Sequence, residues 1–270
     1  MDSALHQLLD FDRYPLDEPD SHRMRALVTD CGADLEERAL CMLPGFIRPE
    51  VVSRMVAELE ILLGEAFRFD QARSAYEADD KEWPSGHPRL TKHDCRYHQI
   101  LNHQIPNDSL VRQLYLSEHL TEFVRQVLGH ETLFRSACPQ LALTVHVAGP
   151  GDCNGWHYDG NDAVFSLLLA EADSGGKFEY VPHVRDKGNE NYEKVAAIFR
   201  QPEQLADRPP IRAGTFTLFK GDESIHRVTE IGAESRRRMI AVFSYDCAPN
   251  MVFPQEYIDQ IRSLGQGVVA

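Results

Sequence analysis

Nothing in this sequence is suited to an oxidising compartment, a bilayer or a nucleic acid. Six cysteines, Cys31, Cys41, Cys95, Cys138, Cys153 and Cys247, stand apart with no CxxC pair among them. Neither a disulfide framework nor a zinc ribbon is expected, and the thiols read as reduced in a cytoplasm. No apolar run approaches the roughly 18 residues that span a membrane. Positive charge is the scarce sign: 28 Lys and Arg against 42 Asp and Glu leave a formal net charge of −14. Because the basic residues are scattered rather than gathered into a stripe, neither nucleic acid nor an anionic membrane is an expected partner. The opening MDSALHQLLDFDRYPLDEPD lacks the basic start and apolar core of a secretory leader, so the mature chain is expected to begin there. Internal repeats and low-complexity tracts are missing too. What is present, 270 residues with 43% hydrophobic, 26% charged and 9% aromatic, is the composition of a globular protein with a full core.

The chain reads as one domain, 1–270, whose character changes along its length. Residues 1–130 are expected to be mostly helix and loop. After Pro49, the residues Val51, Val52, Met55, Val56, Leu59, Leu62 and Leu63 recur at spacings of three and four, which predicts a helix with Gly64 near its end. Residues 70–100 carry charges, Pro84, Gly86 and Pro88 with little periodicity and read as an exposed loop. A second helix is expected from about Ser109 to Leu128, stopped by Gly129. From Thr132 onward seven short runs dominate: TLFRS, QLALTVHV, VFSLLLA, KFEYVP, TFTLF, IHRVT and RMIAVFSY. Turn signals separate them, so residues 131–248 predict a β-sandwich or jelly roll with a helical insert at about 186–210, and 249–270 form a tail.

The chemistry concentrates in GWHYD and SIHRVT. On an extended segment, residues two apart share a face, so His157 and Asp159, at the start of a strand, can reach one point. A histidine from a neighbouring strand, His226, completes a set of two imidazoles and one carboxylate. That set leaves three adjacent positions open on an octahedral Fe(II), as a co-substrate and dioxygen require. An HxD pair alone is weak, since most such pairs are hydrogen-bonded neighbours with no metal. The second histidine on another strand and the basic residues leading the last strand add weight. In RRRMIAVFSY, period two puts Arg236 and Arg238 on one face; Arg238, with Arg236 next, is the expected fork for the distal carboxylate of a dicarboxylate.

GWHYDGNDAVFSLLLAEADSGGKFEYVP and AGTFTLFKGDESIHRVTEIGAESRRRMIAVFSYD together resemble the metal-binding core of the 2-oxoglutarate and Fe(II)-dependent oxygenases. GGKFEYVP, NENYEKVAAIF and FKGDESIHRVT resemble more narrowly the bacterial subgroup that holds halogenases and hydroxylases of free amino acids such as lysine. The resemblance, from about Arg96 to Asp246, implies a double-stranded β-helix (jelly roll, cupin-like) with flanking helices. It implies His157, Asp159 and His226 as iron ligands, Arg238 or Arg236 as the 2-oxoglutarate anchor, and Fe(II), 2-oxoglutarate and O2 as the reagents. In the halogenases of that subgroup Gly or Ala stands where Asp159 stands here, so the carboxylate points to hydroxylation by hydrogen abstraction and hydroxyl return.

The alternation of QLALTVHV places Gln140, Thr144 and His146 toward the metal if its aliphatic face packs outward. Arg96 is the candidate for a substrate carboxylate. Lysine-acting relatives carry an acidic residue where Gln140 aligns, which speaks against lysine itself. The expected activity is hydroxylation of a small polar metabolite, a free amino acid or derivative. The alternatives are a peptide or protein side-chain hydroxylase and a non-catalytic binding module on the same fold.

Overall fold

The computed structural model describes residues 8–76, 81–160, 163–256 and 258–259. The end of the expected tail, from 260 on, lies outside the described residues. In chain order the elements are α1 (His22–Arg38), β1 (Leu40–Leu43), α2 (Pro49–Glu60), β2 (Phe67–Ser74), β3 (Lys92–Ile100), α3 (Leu110–Tyr115), α4 (Glu118–Leu128), β4 (Phe134–Arg135), β5 (Leu143–Ala148), β6 (Cys153–His157), β7 (Val164–Ala170), β8 (Phe178–Val181), α5 (Tyr192–Arg200), α6 (Pro202–Leu205), β9 (Phe216–Phe219), β10 (Ile225–Val228), β11 (Arg238–Phe243) and β12 (Tyr245–Asp246). No helix among the described residues is long and apolar enough to cross a membrane.

Ten strands form one curled antiparallel sheet in the order β1-β9-β7-β11-β5-β3-β6-β10-β8, with β2 paired on β3, while β4 and β12 pair separately. This is the mainly β jelly roll with flanking helices that the sequence implies. Period two sorts the strands into two faces. Leu143, Val145 and Val147 of β5, Phe165, Leu167 and Leu169 of β7, Phe216 and Leu218 of β9, and Met239, Ala241 and Phe243 of β11 pack outward into the main core. Their alternates, among them Thr144, His146, Ser166, Thr217 and Arg238, line a cavity inside the curl. The outer face is covered by Val51, Val52, Met55 and Leu59 of α2, by Val111 and Leu114 of α3, and by Leu120, Phe123 and Val124 of α4. Burying each such side chain contributes about 1.5–3 kcal/mol. One layer of this core is a ring stack, Phe46 on Phe216 at 5.0 Å.

Three expectations are corrected. The two ends of the 70–100 stretch read as a loop are strands, β2 and β3, paired in register from Phe67↔Gln99 to Ser74↔Lys92. With β1 they also give the N-terminal part three strands of the main sheet. Their polar residues hid them, because one face borders the cavity and the other borders solvent, so no apolar alternation is required. The helix expected at 109–128 is two helices: Ser117 leaves helical backbone at ψ 123° and its side chain accepts from the Leu120 N–H, starting α4 afresh. Gly129 does stop it, in the left-handed region at φ 66°. Lastly, the HxD motif ends a strand, β6, rather than beginning one.

Candidate active site

β6 and β10 pair antiparallel with His157 directly opposite His226, so the two rings meet with centroids 4.1 Å apart. Each ring is steered by a carbonyl two residues upstream. His157 Nδ1 lies 2.7 Å from the Gly155 oxygen and His226 Nδ1 lies 3.0 Å from the Ser224 oxygen. A carbonyl only accepts, so each Nδ1 carries the proton and each Nε2 presents a lone pair to the same point. Gly155 is required here for close strand approach, since a Cβ would come within 2.4 Å of His93 Cβ.

Asp159 follows β6 and its N–H donates to the Gly221 carbonyl at 2.9 Å. Its carboxylate stands 3.4 Å from His226 Nε2 and 3.8 Å from His157 Nε2. Burial opposes its charge, but its surroundings, His226 first and then His157 and Arg73, hold the carboxyl down at about 2. Burial, and then the nearness of His226 and Arg73, draws the His157 pKa well below the usual value, so its ring is neutral. The donor atoms of His157, Asp159 and His226 all lie within 4.8 Å of one another. Two imidazoles and one carboxylate gathered on one side form a donor set that could hold Fe(II) with positions left open.

The donors open onto the cavity inside the curl, of about 1110 Å³. Arg238, the first residue of β11, projects into it and is only 7% exposed. Burial lowers its guanidinium to about 10, and no carboxylate pairs with it among the described residues. A buried cation in that state is a seat for an anion. Thr144 and His146 line the same cavity. His146 stacks on Tyr97 at 4.7 Å, its Nε2 is 3.0 Å from Gln99 Nε2, and burial, then Arg238 and Arg73, bring it down to about 4.

Three other candidates are not brought to the site. Arg236 lies at the surface, where Nε and Nη2 grip Asp173 at 3.0 and 2.7 Å. The alternation assumed for it fails because β11 begins only at Arg238. Arg96 sits on the far side of β3, tied to Asp94 at 2.6 Å and Glu230 at 3.1 Å, and does not line the cavity. Gln140 lies in the turn before β5, outside the strand whose alternation was to aim it inward. Sequence reasoning missed Arg73 and Arg89, which do line the cavity; both fall in the stretch read as a loop. It also missed Asn154, whose amide nitrogen is 3.3 Å from His157 Nε2 and whose Oδ1 accepts from the Cys95 thiol at 3.2 Å.

A jelly roll with this donor set at its mouth and a buried arginine behind it defines the class of iron(II) and 2-oxoglutarate-dependent oxygenases, and the residues present fit both cofactors. The model of the family Halogenase D matches residues 24–256, and the chain belongs to that family. No curated protein matches the sequence significantly. Among solved structures it is similar to an oxidoreductase of the 2OG-Fe(II) oxygenase family from Burkholderia pseudomallei, with 16% identity, TM-score 0.51, and 82% of this chain and 91% of that one covered. It is similar to AviO1 from Streptomyces viridochromogenes at 15% identity and TM-score 0.56, covering 82% and 95%. The epimerase SnoN, solved with Fe3+, alpha ketoglutarate and nogalamycin RO, is 18% identical with TM-score 0.51 over 82% and 84%. At these identities the structural likeness bears on the fold.

Proposed function

We propose that this chain hydroxylates a small polar metabolite, a free amino acid or a derivative of one, in the cytoplasm. His157, Asp159 and His226 hold iron on one side and Arg238 receives the distal carboxylate of 2-oxoglutarate. Bound together, iron(II), 2-oxoglutarate and dioxygen supply the oxidising chemistry, with succinate and carbon dioxide released. The carbonyls of Gly155 and Ser224 keep the imidazoles in the ligating tautomer. Thr144 and the neutral His146 orient groups within the cavity. The six cysteines are unpaired, which supports a reducing compartment.

The observation that carries hydroxylation, in a family named for halogenases, is the Asp159 carboxylate. It stands 3.4 Å from His226 Nε2, where it takes the coordination position a halide would need. The test is mass spectrometry of the product formed in excess chloride with Fe(II), 2-oxoglutarate and each amino acid in turn. Only oxygenated product is expected, and a chlorinated product from the unaltered protein overturns the reading.

A further inference from the structure

From His226 to Val228 is two positions on β10, but their partners on β6, His157 and Asn154, are three apart. The extra residue is a bulge in β6, and it changes the face that Asn154 uses. On a regular strand, residues three apart point to opposite faces, so Asn154 would turn away from His157. The bulge brings both side chains to the cavity, where Asn154 lines the wall with His157, Asp159 and His226. The other edge of β6 is held as well, since Cys95 of β3 pairs with Asn154.

A row of hydrogen bonds ends on that amide, and it can run in one sense only. Arg73, whose guanidinium donates and never accepts, gives its Nε–H to the Cys95 sulfur at 3.2 Å. The buried Cys95 thiol donates its own S–H to Asn154 Oδ1 at 3.2 Å. The amide oxygen is thereby fixed toward Cys95 and the nitrogen toward the site, with Nδ2 3.3 Å from His157 Nε2. Because His157 Nδ1 carries its proton toward the Gly155 carbonyl, Nε2 is the acceptor and the amide is the donor.

One lone pair on Nε2 cannot serve both the amide and a metal. Once it is committed to iron, the Asn154 N–H loses its acceptor, while the Cys95 thiol still holds the other end of the amide and opposes its turning away. A donor left unpaired in a half-buried site costs free energy, so a new acceptor beside the metal is favoured. Among the reagents of the function proposed above, 2-oxoglutarate brings a charged one, the carboxylate next to its keto group, since Arg238 receives the distal carboxylate. A hydrogen bond to an ionised oxygen is about twice as strong as one to a neutral acceptor.

We propose that Asn154 is a second anchor for 2-oxoglutarate, its amide N–H passing from His157 Nε2 to the carboxylate at the metal-binding end, and that Cys95 is the positioning residue that keeps the amide turned inward. This rests on the cofactor assignment made above and extends it. The amide then has two opposite effects. In the metal-free protein it competes with iron for Nε2, and in the loaded protein it retains the co-substrate.

The test is anaerobic calorimetry in two stages, Fe(II) into metal-free protein and then 2-oxoglutarate into the iron-loaded protein, with the unaltered chain, Asn154→Leu and Asn154→Asp. Leu keeps the size of the side chain without its donor, whereas Asp keeps the shape and the acceptor for Cys95 but puts a second acceptor where the N–H was. Asn154→Leu should bind Fe(II) at least as tightly as the unaltered protein and 2-oxoglutarate about tenfold more weakly. Asn154→Asp should lose more 2-oxoglutarate affinity than Asn154→Leu, because two carboxylates then face each other. The visible charge-transfer band of the iron–2-oxoglutarate chelate, read at saturation, should shift in Asn154→Leu, since the lost bond acts on the ligating end. Weaker Fe(II) binding in both variants would reduce Asn154 to a structural support of His157 and overturn the proposal. Unchanged 2-oxoglutarate affinity in Asn154→Leu, or an unshifted band, overturns it equally. An unaltered protein that binds no Fe(II) or no 2-oxoglutarate overturns instead the cofactor assignment on which the proposal stands, so the two failures are distinguishable.

Discussion

The carboxylate of Asp159 occupies the volume that a side chain on residue 221 would need: a Cβ built on Gly221 would lie 1.8 Å from Asp159 Oδ2. The Lys220-Gly221-Asp222 turn therefore helps position a metal donor from the neighbouring segment, and the Asp159 N–H to Gly221 carbonyl bond fixes the same contact from the backbone side. Gly221→Ala should displace the carboxylate and lower Fe(II) affinity by about 10–100-fold, as loss of a ligand's support does. Circular dichroism should stay native. Unchanged iron affinity in a folded Gly221→Ala protein would remove Gly221 from the site.

Because both imidazoles present Nε2 to one point, neither should be dispensable. His157→Ala or His226→Ala should abolish turnover and reduce Fe(II) binding, while the metal-free protein melts near the unaltered one. Wild-type iron affinity in either variant would sink the ligand assignment.

The metal donors were legible because their placement follows from local rules. Residues two apart on extended chain, with a partner on the next strand, suffice to bring His157, Asp159 and His226 together, and β6 and β10 pair those two histidines directly. The strands that alternate apolar and polar residues, such as β5, β7 and β11, were legible for the same reason. The walls at β2 and β3 were not: a strand between cavity and solvent has no need of apolar residues on either face, so Arg73 was hidden in what reads as loop, and Arg89 lies between the two strands in a single helical turn, Pro88–Leu90. Arg236 and Gln140 failed at the boundaries, where alternation was carried past the first residue of a strand into a turn. Gly221 needed the third dimension, since its neighbour is more than sixty positions away in sequence.

Arg238 is the buried cation and Arg236 the exposed one, so the two should separate cleanly. Leaving a buried carboxylate without its partner costs on the order of 2–5 kcal/mol. Arg238→Ala should raise the 2-oxoglutarate requirement by roughly thirtyfold or more, and Arg236→Ala should leave it unchanged. Steady-state rates against 2-oxoglutarate concentration decide it; the opposite result would move the anchor to the surface turn.

Acid should weaken the metal-free protein through its buried histidines. Burial, then Arg227, draws His93 to about 4, and burial, then Arg238 and Arg73, draws His146 to about 4, both from 6.5. Between those values the unfolded chain binds protons that the folded chain refuses. The contribution of these residues is therefore complete above 6.5 and is lost as pH falls toward 4. The melting temperature should fall from about pH 7 to about pH 5, and less so in His93→Gln. A melting temperature that is flat across that window would mean that both rings protonate freely in the fold.

If Asp159 sets the choice between oxygen and halide, as proposed, its removal should show how much of that choice it controls. Asp159→Gly vacates one ligand position, so chloride can enter if the surrounding groups tolerate an anion there. The nearby positive field of Arg73, which already stabilises the Asp159 carboxylate, favours that entry. Chlorination further requires the reacting carbon to lie nearer the halide than the hydroxyl, and one substitution leaves the substrate where the cavity walls hold it. Hydroxylation should therefore fall by two orders of magnitude or so, with at most a trace of chlorinated product, since a displaced reacting atom alone costs about a hundredfold. Mass spectrometry of the Asp159→Gly reaction in chloride measures both. Hydroxylation at the unaltered rate would show that the carboxylate is not a ligand, and efficient chlorination would show that substrate placement already suits the halide.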